Sequence, residues 1–261
     1  MRCLSILLVS VPLLSAPLLA QLPPPNAMGV SAGHTHMMVR DPEAHKKIWV
    51  EALGAQVVNT GSLELLKLPG IFLVLGKAEP AEGSEGSSVD HFAFRAKDLG
   101  ATRAKLAAAG VPIVREDARE IVAMLPDKVK VEFYAAPMLA VPLEHYHFHF
   151  FTNDPDGLRA WYVKHLGATV TTQGTATITS VPGVDFSFRR TDTPMAATKG
   201  RSLDHIGFEV KGLEAFCKKL EADGVTFDAP FRDVPRIGLK IAFVLDPAGT
   251  RIELTEGLAG R

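Results

Sequence analysis

The sequence is short of cysteine and of clustered charge, and both shortages limit what the protein can be. Of its 261 residues only two are cysteines, Cys3 and Cys217. We predict that the segment holding Cys3 is removed, so the remaining chain can form no internal disulfide. The formal net charge is −1, and lysine and arginine are dispersed rather than gathered in runs. This distribution argues against nucleic acid and against an anionic membrane surface as partners.

Long apolar runs are also missing, with one exception at the N-terminus. A short start containing Arg2 precedes an uncharged stretch from Leu4 to Leu19, and Ala20 stands before Gln21. The pattern predicts a secretory signal peptide over residues 1–20, and hence a periplasmic or secreted protein. A membrane anchor is the alternative, but two prolines interrupt the stretch and it is shorter than the ~20 residues that a bilayer requires. We therefore predict no membrane span.

The rest of the composition is that of a globular protein, with 47% hydrophobic and 22% charged residues. Such a chain can bury one large core or two small ones. Residues 21–33 include three consecutive prolines and show no apolar periodicity. We expect them to form an extended linker.

An internal repeat dominates the remaining sequence. The segment beginning at His34 aligns without a gap with the segment beginning at His147: HTHMMVRDPEAHKKIWVEALGA and HFHFFTNDPDGLRAWYVKHLGA. A second pair begins at Asp90 and Asp204: DHFAFRAKDLGATRAKLAAAGV and DHIGFEVKGLEAFCKKLEADGV. A repeat of this length fixes the architecture, because each copy must form the same structural unit.

Each block starts as a strand, continues with a turn or helix cap, and then shows apolar residues at helical spacing. Each predicted helix ends at or just before a glycine, namely Gly54, Gly110, Gly167 and Gly224. Short β-branched or aromatic runs follow every helix. The sequence therefore predicts an α+β protein in which a β-α-β-β-β unit occurs four times. We place the boundary between the halves near Ala140, with modules at residues 34–139 and 144–257.

Two sets of metal-ligand residue types recur at matching places in the halves. Residues two apart on a strand share a face, so one histidine of each His-X-His pair can bind a metal while its neighbour lines the same cavity. The candidates on separate strands are His147, His205 and Glu253 in the second half, and His34, His91 and Glu132 in the first. Two imidazoles and one carboxylate form a facial triad that leaves coordination positions open, which is typical of catalytic sites.

A different interpretation exists for each residue taken singly. A lone histidine in an apolar strand is usually packed and hydrogen-bonded, and a glutamate in a short strand usually faces solvent. The recurrence of the same three residue types in both halves, while neighbouring positions have diverged, favours metal binding.

The repeated units and the ligand pattern resemble the vicinal oxygen chelate superfamily, which includes glyoxalases, bleomycin-resistance proteins and extradiol dioxygenases. The segment from Leu245 to Leu254 (LDPAGTRIEL) resembles the turn that leads into the glutamate-bearing strand of that family, and Leu125 to Glu132 (LPDKVKVE) departs from it. The resemblance implies that each of the two modules forms a half-open eight-stranded barrel from its own pair of β-α-β-β-β units, so that each sheet comes from one half of the chain. It also implies the two ligand sets named above, with the second half the better candidate for a working site.

The resemblance implies an enzyme that uses Fe, Mn or Zn as a Lewis acid on a small substrate that chelates through two oxygens. Extradiol dioxygenases use a tyrosine where this chain has Phe243, so we expect His149 to act as the acid or base instead. A lining role for His149 is the alternative. Asp185 is the only candidate for the fourth ligand that glyoxalase I adds on another strand, and it is not obviously placed.

Two functions from different classes remain open at this stage. One is an exported metal-dependent dioxygenase, lyase or isomerase. The other is a non-catalytic protein that sequesters a small molecule, as bleomycin-resistance proteins do. The metal-ligand residues favour the enzyme.

Overall fold

The computed structural model describes residues 22–174 and 176–261. The predicted signal peptide therefore lies outside the described residues. Among the described residues, no helix has the length and apolar character needed to cross a membrane.

Four consecutive units share the order strand, helix, three strands, as predicted. Unit 1 consists of β1 (Val30–Val39), α1 (Pro42–Lys47) with a π-helical turn (Ile48–Ala52), β2 (Gln56–Thr60), β3 (Leu63–Leu68) and β4 (Ile71–Lys77). Unit 2 consists of β5 (Val89–Ala96), α2 (Leu99–Ala108), β6 (Ile113–Glu116), β7 (Glu120–Leu125) and β8 (Val129–Ala135). Unit 3 consists of β9 (Leu143–Thr152), α3 (Pro155–Leu166), β10 (Thr169–Gln173), β11 (Ala176–Val181) and β12 (Val184–Arg190). Unit 4 consists of β13 (Leu203–Val210), α4 (Leu213–Ala222), β14 (Phe227–Val234), β15 (Leu239–Leu245) and β16 (Arg251–Glu256).

Local sequence signals set the helix boundaries. The side chains of Asp41, Asp98 and Asp154 accept hydrogen bonds from backbone N–H groups in the first turns of α1, α2 and α3. These bonds satisfy donors that a helix start leaves free. Beyond the helices, the four predicted glycines all have positive φ, which glycine adopts without strain.

The units form two half-open sheets of eight strands each. Sheet 1 has the order β14-β15-β16-β13-β1-β4-β3-β2, and sheet 2 has the order β10-β11-β12-β9-β5-β8-β7-β6. Unit 1 thus pairs with unit 4, and unit 2 pairs with unit 3. The expectation that each sheet comes from one half of the chain is wrong. Because the repeated first strands are alike, strand sequence alone does not decide which of them pair.

The two sheets share one core. Trp49 of unit 1 packs on Phe92 and Phe94 of sheet 2, with ring centroids 6.0 and 5.7 Å apart. Phe186 of sheet 2 packs on Phe208 of sheet 1, with centroids 5.9 Å apart. Large aromatic rings dominate the energy of such a core, so burying them joins the sheets firmly.

The segment before β1 is shorter than expected and is fixed in place. Strand β1 begins at Val30, inside the stretch that we expected to be a linker. The amide of Asn26 donates to the carbonyls of Leu166 and Gly167 at 2.9 and 3.0 Å, and its oxygen accepts from the N–H of Val30 at 3.1 Å. One side chain thus ties β1 to the end of α3, a contact that periodicity could not reveal.

The crossed pairing predicts how the halves behave when they are made separately. Residues 22–139 and 140–261 each lack the units that complete their sheets, so neither half should fold as a monomer. Size-exclusion chromatography with light scattering, together with circular dichroism, would show aggregation or association of each half alone and recovery of the native form on mixing. A folded monomeric half would contradict the pairing.

Candidate metal sites

The structure brings the predicted ligands together in two clusters with exchanged members. Site 1 comprises His34, His205 and Glu253, and site 2 comprises His91, Glu132, His147 and His149. In each cluster the potential ligand atoms lie within 4.8 Å of one another. All six predicted ligands and His149 are included, but the predicted sets are wrong in one respect. His34 and His147 have changed places, because β1 pairs with β13 and β9 pairs with β5.

Site 1 is compact. The Nε2 atoms of His34 and His205 each lie 2.8 Å from the same oxygen, Oε2 of Glu253. The three residues come from β1, β13 and β16, which are neighbours in sheet 1. Two imidazole nitrogens and one carboxylate oxygen therefore converge from three adjacent strands, as a facial triad requires.

A carboxylate behind His205 sets the orientation of its ring. Oδ1 of Asp204 lies 2.5 Å from Nδ1 of His205 and accepts a hydrogen bond from Arg251 at 2.8 Å. With Nδ1 so engaged, Nε2 is the atom directed at Glu253. Such a partner fixes the ring orientation of a metal-binding histidine and raises its basicity.

Charge in site 1 is balanced inside the protein. Burial raises the pKa of Glu253, but the contacts from His205 and His34 outweigh burial, so the pKa lies well below the usual range. The carboxylate is therefore ionised. Burial and the neighbouring His205 lower the pKa of His36 to about 3, so that ring is neutral.

Site 1 opens into a cavity of about 280 Å³ on the concave face of sheet 1. Apolar side chains supply most of the wall: Met38, Leu63, Leu65, Val74, Ile237, Leu239, Phe243 and Leu258. Arg236 and Ser62 also line it, together with His36 next to the triad. A small molecule with an apolar body fits this space.

Site 2 repeats the plan with a looser triad. Nε2 of His91 lies 2.9 Å from Oε2 of Glu132, whereas Nε2 of His147 lies 3.8 Å from it. Asp90 stands behind His91 as Asp204 does behind His205, with Oδ1 2.6 Å from Nδ1. The Nε2 atom of His147 is buried without a hydrogen-bond partner, and that of His91 has no partner except Glu132.

The carboxylate of site 2 has additional partners. Arg115 donates to Oε1 of Glu132 at 2.8 Å, and the hydroxyl of Tyr134 donates to Oε2 at 3.0 Å. Strand register places Arg115 across Val122 from Glu132. At the corresponding positions of sheet 1, Ala229 lies across Phe243 from Glu253.

Small residues at these positions leave site 1 accessible. Ala229 cannot reach Glu253 as Arg115 reaches Glu132. Thr255 takes the place of Tyr134, and its hydroxyl donates to the carbonyl of Phe208 at 3.2 Å. Glu253 therefore faces the cavity, whereas polar side chains hold Glu132.

One glycine accounts for the compactness of site 1. Gly207 lies opposite His34 in the sheet, and a Cβ atom there would fall inside the His34 imidazole. Ala93 lies opposite His147 at the corresponding place in sheet 2. The extra methyl group keeps the His147 ring away from the position that His34 occupies, consistent with the longer distance to Glu132.

Both clusters suit a divalent metal. Imidazole nitrogens and carboxylate oxygens are ligands that Zn, Fe and Mn accept. In both sites the Nε2 atoms point at one carboxylate oxygen, and in site 2 they lack any other partner. Binding a cation would satisfy these buried atoms.

Comparison with known proteins identifies the family. A model of the Glyoxalase/Bleomycin resistance protein/Dioxygenase superfamily matches residues 31–128 and 145–254. The chain belongs to this superfamily. No curated protein sequence matches the chain.

Solved structures with the same fold as this chain include proteins from Zea mays and Bacillus subtilis. Glyoxalase I from Zea mays has a TM-score of 0.69 at 17% identity, with 87% of this chain and 92% of that chain covered. A protein from Bacillus subtilis subsp. subtilis str. 168, provisionally identified as a dioxygenase, has a TM-score of 0.62 at 15% identity. That match covers 91% of this chain and 86% of that chain. At such identities the likeness shows the fold.

Sequence reasoning missed several residues that shape the two sites: Asp90, Asp204, Arg115, Tyr134 and Arg251. The two aspartates carried a signal, since an Asp-His pair begins both copies of the second repeated block. Arg251 reaches Asp204 from the neighbouring strand and Arg115 reaches Glu132 from two strands away, so their positions depend on strand register. Tyr134 lies on β8 itself, two residues after Glu132 and on the same face. The acid or base role of His149 stays a prediction.

Substituting the residue that lies opposite the first-strand histidine of each site tests whether that residue positions the histidine. Gly207→Ala should displace His34 and weaken metal binding at site 1 by about 10- to 100-fold, the range for losing a supporting contact. Metal competition titration followed by elemental mass spectrometry measures the effect.

Ala93→Gly is the matched change in sheet 2. It should let His147 approach Glu132 and should leave site 1 unchanged. Equal metal affinity at site 1 in wild type and Gly207→Ala would show that the glycine does not position His34.

Proposed function

We propose that the protein is a metal-dependent enzyme that works at site 1 on a small substrate with two adjacent oxygens and an apolar body. The observation that carries the proposal is the compact triad of His34, His205 and Glu253 at an open, mostly apolar cavity. Membership of the superfamily supports it. Three protein ligands leave coordination positions for a substrate, which is typical of catalytic metal sites.

His34, His205 and Glu253 would hold the metal. A divalent metal bound there supplies Lewis-acid chemistry, stabilising negative charge that develops on chelated oxygens. The described residues supply the rest of the environment. Asp204 orients His205, while the apolar wall binds the substrate body and excludes water.

Oxygenase chemistry is the first reaction type to test. Two histidines and one carboxylate with open positions are typical of non-haem iron oxygenases. Phe72 lies next to His34 on β4, so no fourth ligand comes from the neighbouring strand at site 1. Asp185, the candidate for such a ligand, lies next to His147 in sheet 2 instead. Lyase or isomerase chemistry is the second reaction type.

The neutral ring of His36 gives site 1 one further polar group beside the triad. Its Nε2 is buried and has no hydrogen-bond partner. The His36 and His205 rings lie 4.6 Å apart between centroids. His36 can therefore form a hydrogen bond with a substrate oxygen held next to the triad.

Single ligand substitutions test which site works. His205→Ala should lower turnover by about 100-fold or more, because losing even an outer partner of a ligand costs about 10- to 100-fold. The matched variant His91→Ala removes the corresponding ligand of site 2 and should keep most of the activity. The assays use catechols and α-hydroxycarbonyl compounds after loading with Fe, Mn or Zn.

Metal content measured on the same samples separates the alternatives. Loss of metal and turnover only in His205→Ala supports site 1. A wild-type protein that binds an apolar substrate analogue, but binds no metal and turns over no substrate, would favour a sequestering protein instead.

We further propose that the protein is exported. The support is the uncharged apolar stretch from Leu4 to Leu19 followed by Ala20. Expression of the full chain with intact secretion machinery should yield a product whose N-terminus lies at or after Gln21, as read by mass spectrometry. A cytoplasmic product that retains Met1 would contradict export.

A further inference from the structure

We propose that site 2 is a closed, four-ligand zinc site formed by His91, Glu132, His147 and His149. In this proposal His149 is a metal ligand, and the metal has a structural role that differs from that of site 1. Structural zinc sites have four protein ligands, whereas catalytic sites keep a position open.

The position of His149 is the first support. One ligand atom each from His149, His91, Glu132 and His147 lie within 4.8 Å of one another. Both ring nitrogens of His149 are buried without a hydrogen-bond partner. Its ring centroid lies 4.5 Å from that of His91. A buried imidazole with two unsatisfied nitrogens is costly unless it binds something.

The repeat provides an internal comparison. His36 has the position in unit 1 that His149 has in unit 3, yet His36 is not part of the site 1 cluster. The backbone register is the same in both sheets, since His36 pairs with His205 and His149 pairs with His91. The ring centroids also lie at similar distances from the paired histidine, 4.6 Å for His36 and 4.5 Å for His149, so the difference lies in where the ring nitrogens point.

A glycine explains that direction. A Cβ atom on Gly76 would lie 2.7 Å from Nε2 of His36, so the ring uses space that only glycine leaves. The corresponding residue in unit 3 is Arg189, two positions after Ser187, the neighbour of His149 on β12. Arginine has a Cβ atom at this position, so the space that Gly76 leaves in sheet 1 is not open in sheet 2. The His149 ring is therefore directed towards the cluster and stacks on Phe151 at 5.0 Å.

The surroundings of the four ligands suit a fixed cation. Asp90 holds His91 through Nδ1, and Lys130 in turn donates to Asp90 at 2.7 Å. Arg115 and Tyr134 hold Glu132 in one orientation. The Arg115 side chain is 60% exposed, so solvent screens its repulsion of a cation. Three imidazoles and one carboxylate are a ligand set that zinc accepts.

The ligands join the two halves of the chain. His91 and Glu132 belong to β5 and β8 in the first half, and His147 and His149 belong to β9 in the second. A bound metal would clamp the three strands next to the connection between the halves at residues 136–142. A metal that binds only the folded form increases the free energy of unfolding.

Zinc stoichiometry in matched variants of the mature protein tests the proposal. After zinc loading and removal of excess, elemental mass spectrometry should find two zinc ions per chain in wild type and one in His149→Ala. The repeat-matched control, His36→Ala, should keep two. The single variant His34→Ala weakens site 1 and should keep the zinc ion of site 2. The double variant His34→Ala/His149→Ala should lose that remaining zinc ion.

Cobalt substitution and thermal unfolding provide independent measurements. Cobalt bound to His34→Ala should show the intense visible absorption of four-coordinate geometry, and His149→Ala should abolish it. Metal at site 2 should raise the melting temperature of wild type more than that of His149→Ala.

A milder change guards against simple misfolding of His149→Ala. Arg189→Gly restores the space that Gly76 leaves in sheet 1, so zinc at site 2 should bind about tenfold more weakly. A single zinc ion per chain in wild type that is lost in His34→Ala, or unchanged zinc binding in both His149→Ala and Arg189→Gly, would overturn the proposal. Either result would leave the enzyme proposal for site 1 intact.

Discussion

The antiparallel pairing of first strands is the constraint on which both metal sites depend. In sheet 1 β1 pairs with β13, and in sheet 2 β9 pairs with β5. Each pairing sets two histidines side by side, and the last strand of units 4 and 2 adds a glutamate next to them. A shift of one residue in either register would turn the histidines to the opposite face of the sheet. The apolar residues that alternate with them in the shared core make such a shift unfavourable.

Duplication followed by divergence explains how one plan gives two different sites. The ligand types are the same, but the positions around them differ in size. Gly207 and Gly76 leave room for imidazole rings in sheet 1, where Ala93 and Arg189 take that room in sheet 2. Ala229 leaves Glu253 open to a cavity where Arg115 reaches Glu132. Small residues thus produce an open three-ligand site, and larger ones produce a filled site in which His149 turns inward.

Much of the fold could be read from the sequence because its signals are local. Aspartate caps, helix-ending glycines and alternating apolar residues each act within a few positions, and the repeat confirms each of them several times. The candidate ligands were also recognisable, since His-X-His and Asp-His pairs recur in both halves. The start of β1 was missed because Asn26 fixes it through contacts with α3, far away in the chain.

The sequence by itself determined the four β-α-β-β-β units, their α+β class and the residues that can bind a metal. Hydrophobic periodicity and turn chemistry depend only on near neighbours, so they are visible without a structure. Only the tertiary structure decided which units share a sheet, and therefore that His34 joins His205 while His147 joins His91. Four similar units can pair in more than one way, and the choice depends on long-range packing in the common core. Only the structure also separated the open site from the filled one, because that difference comes from side chains on neighbouring strands.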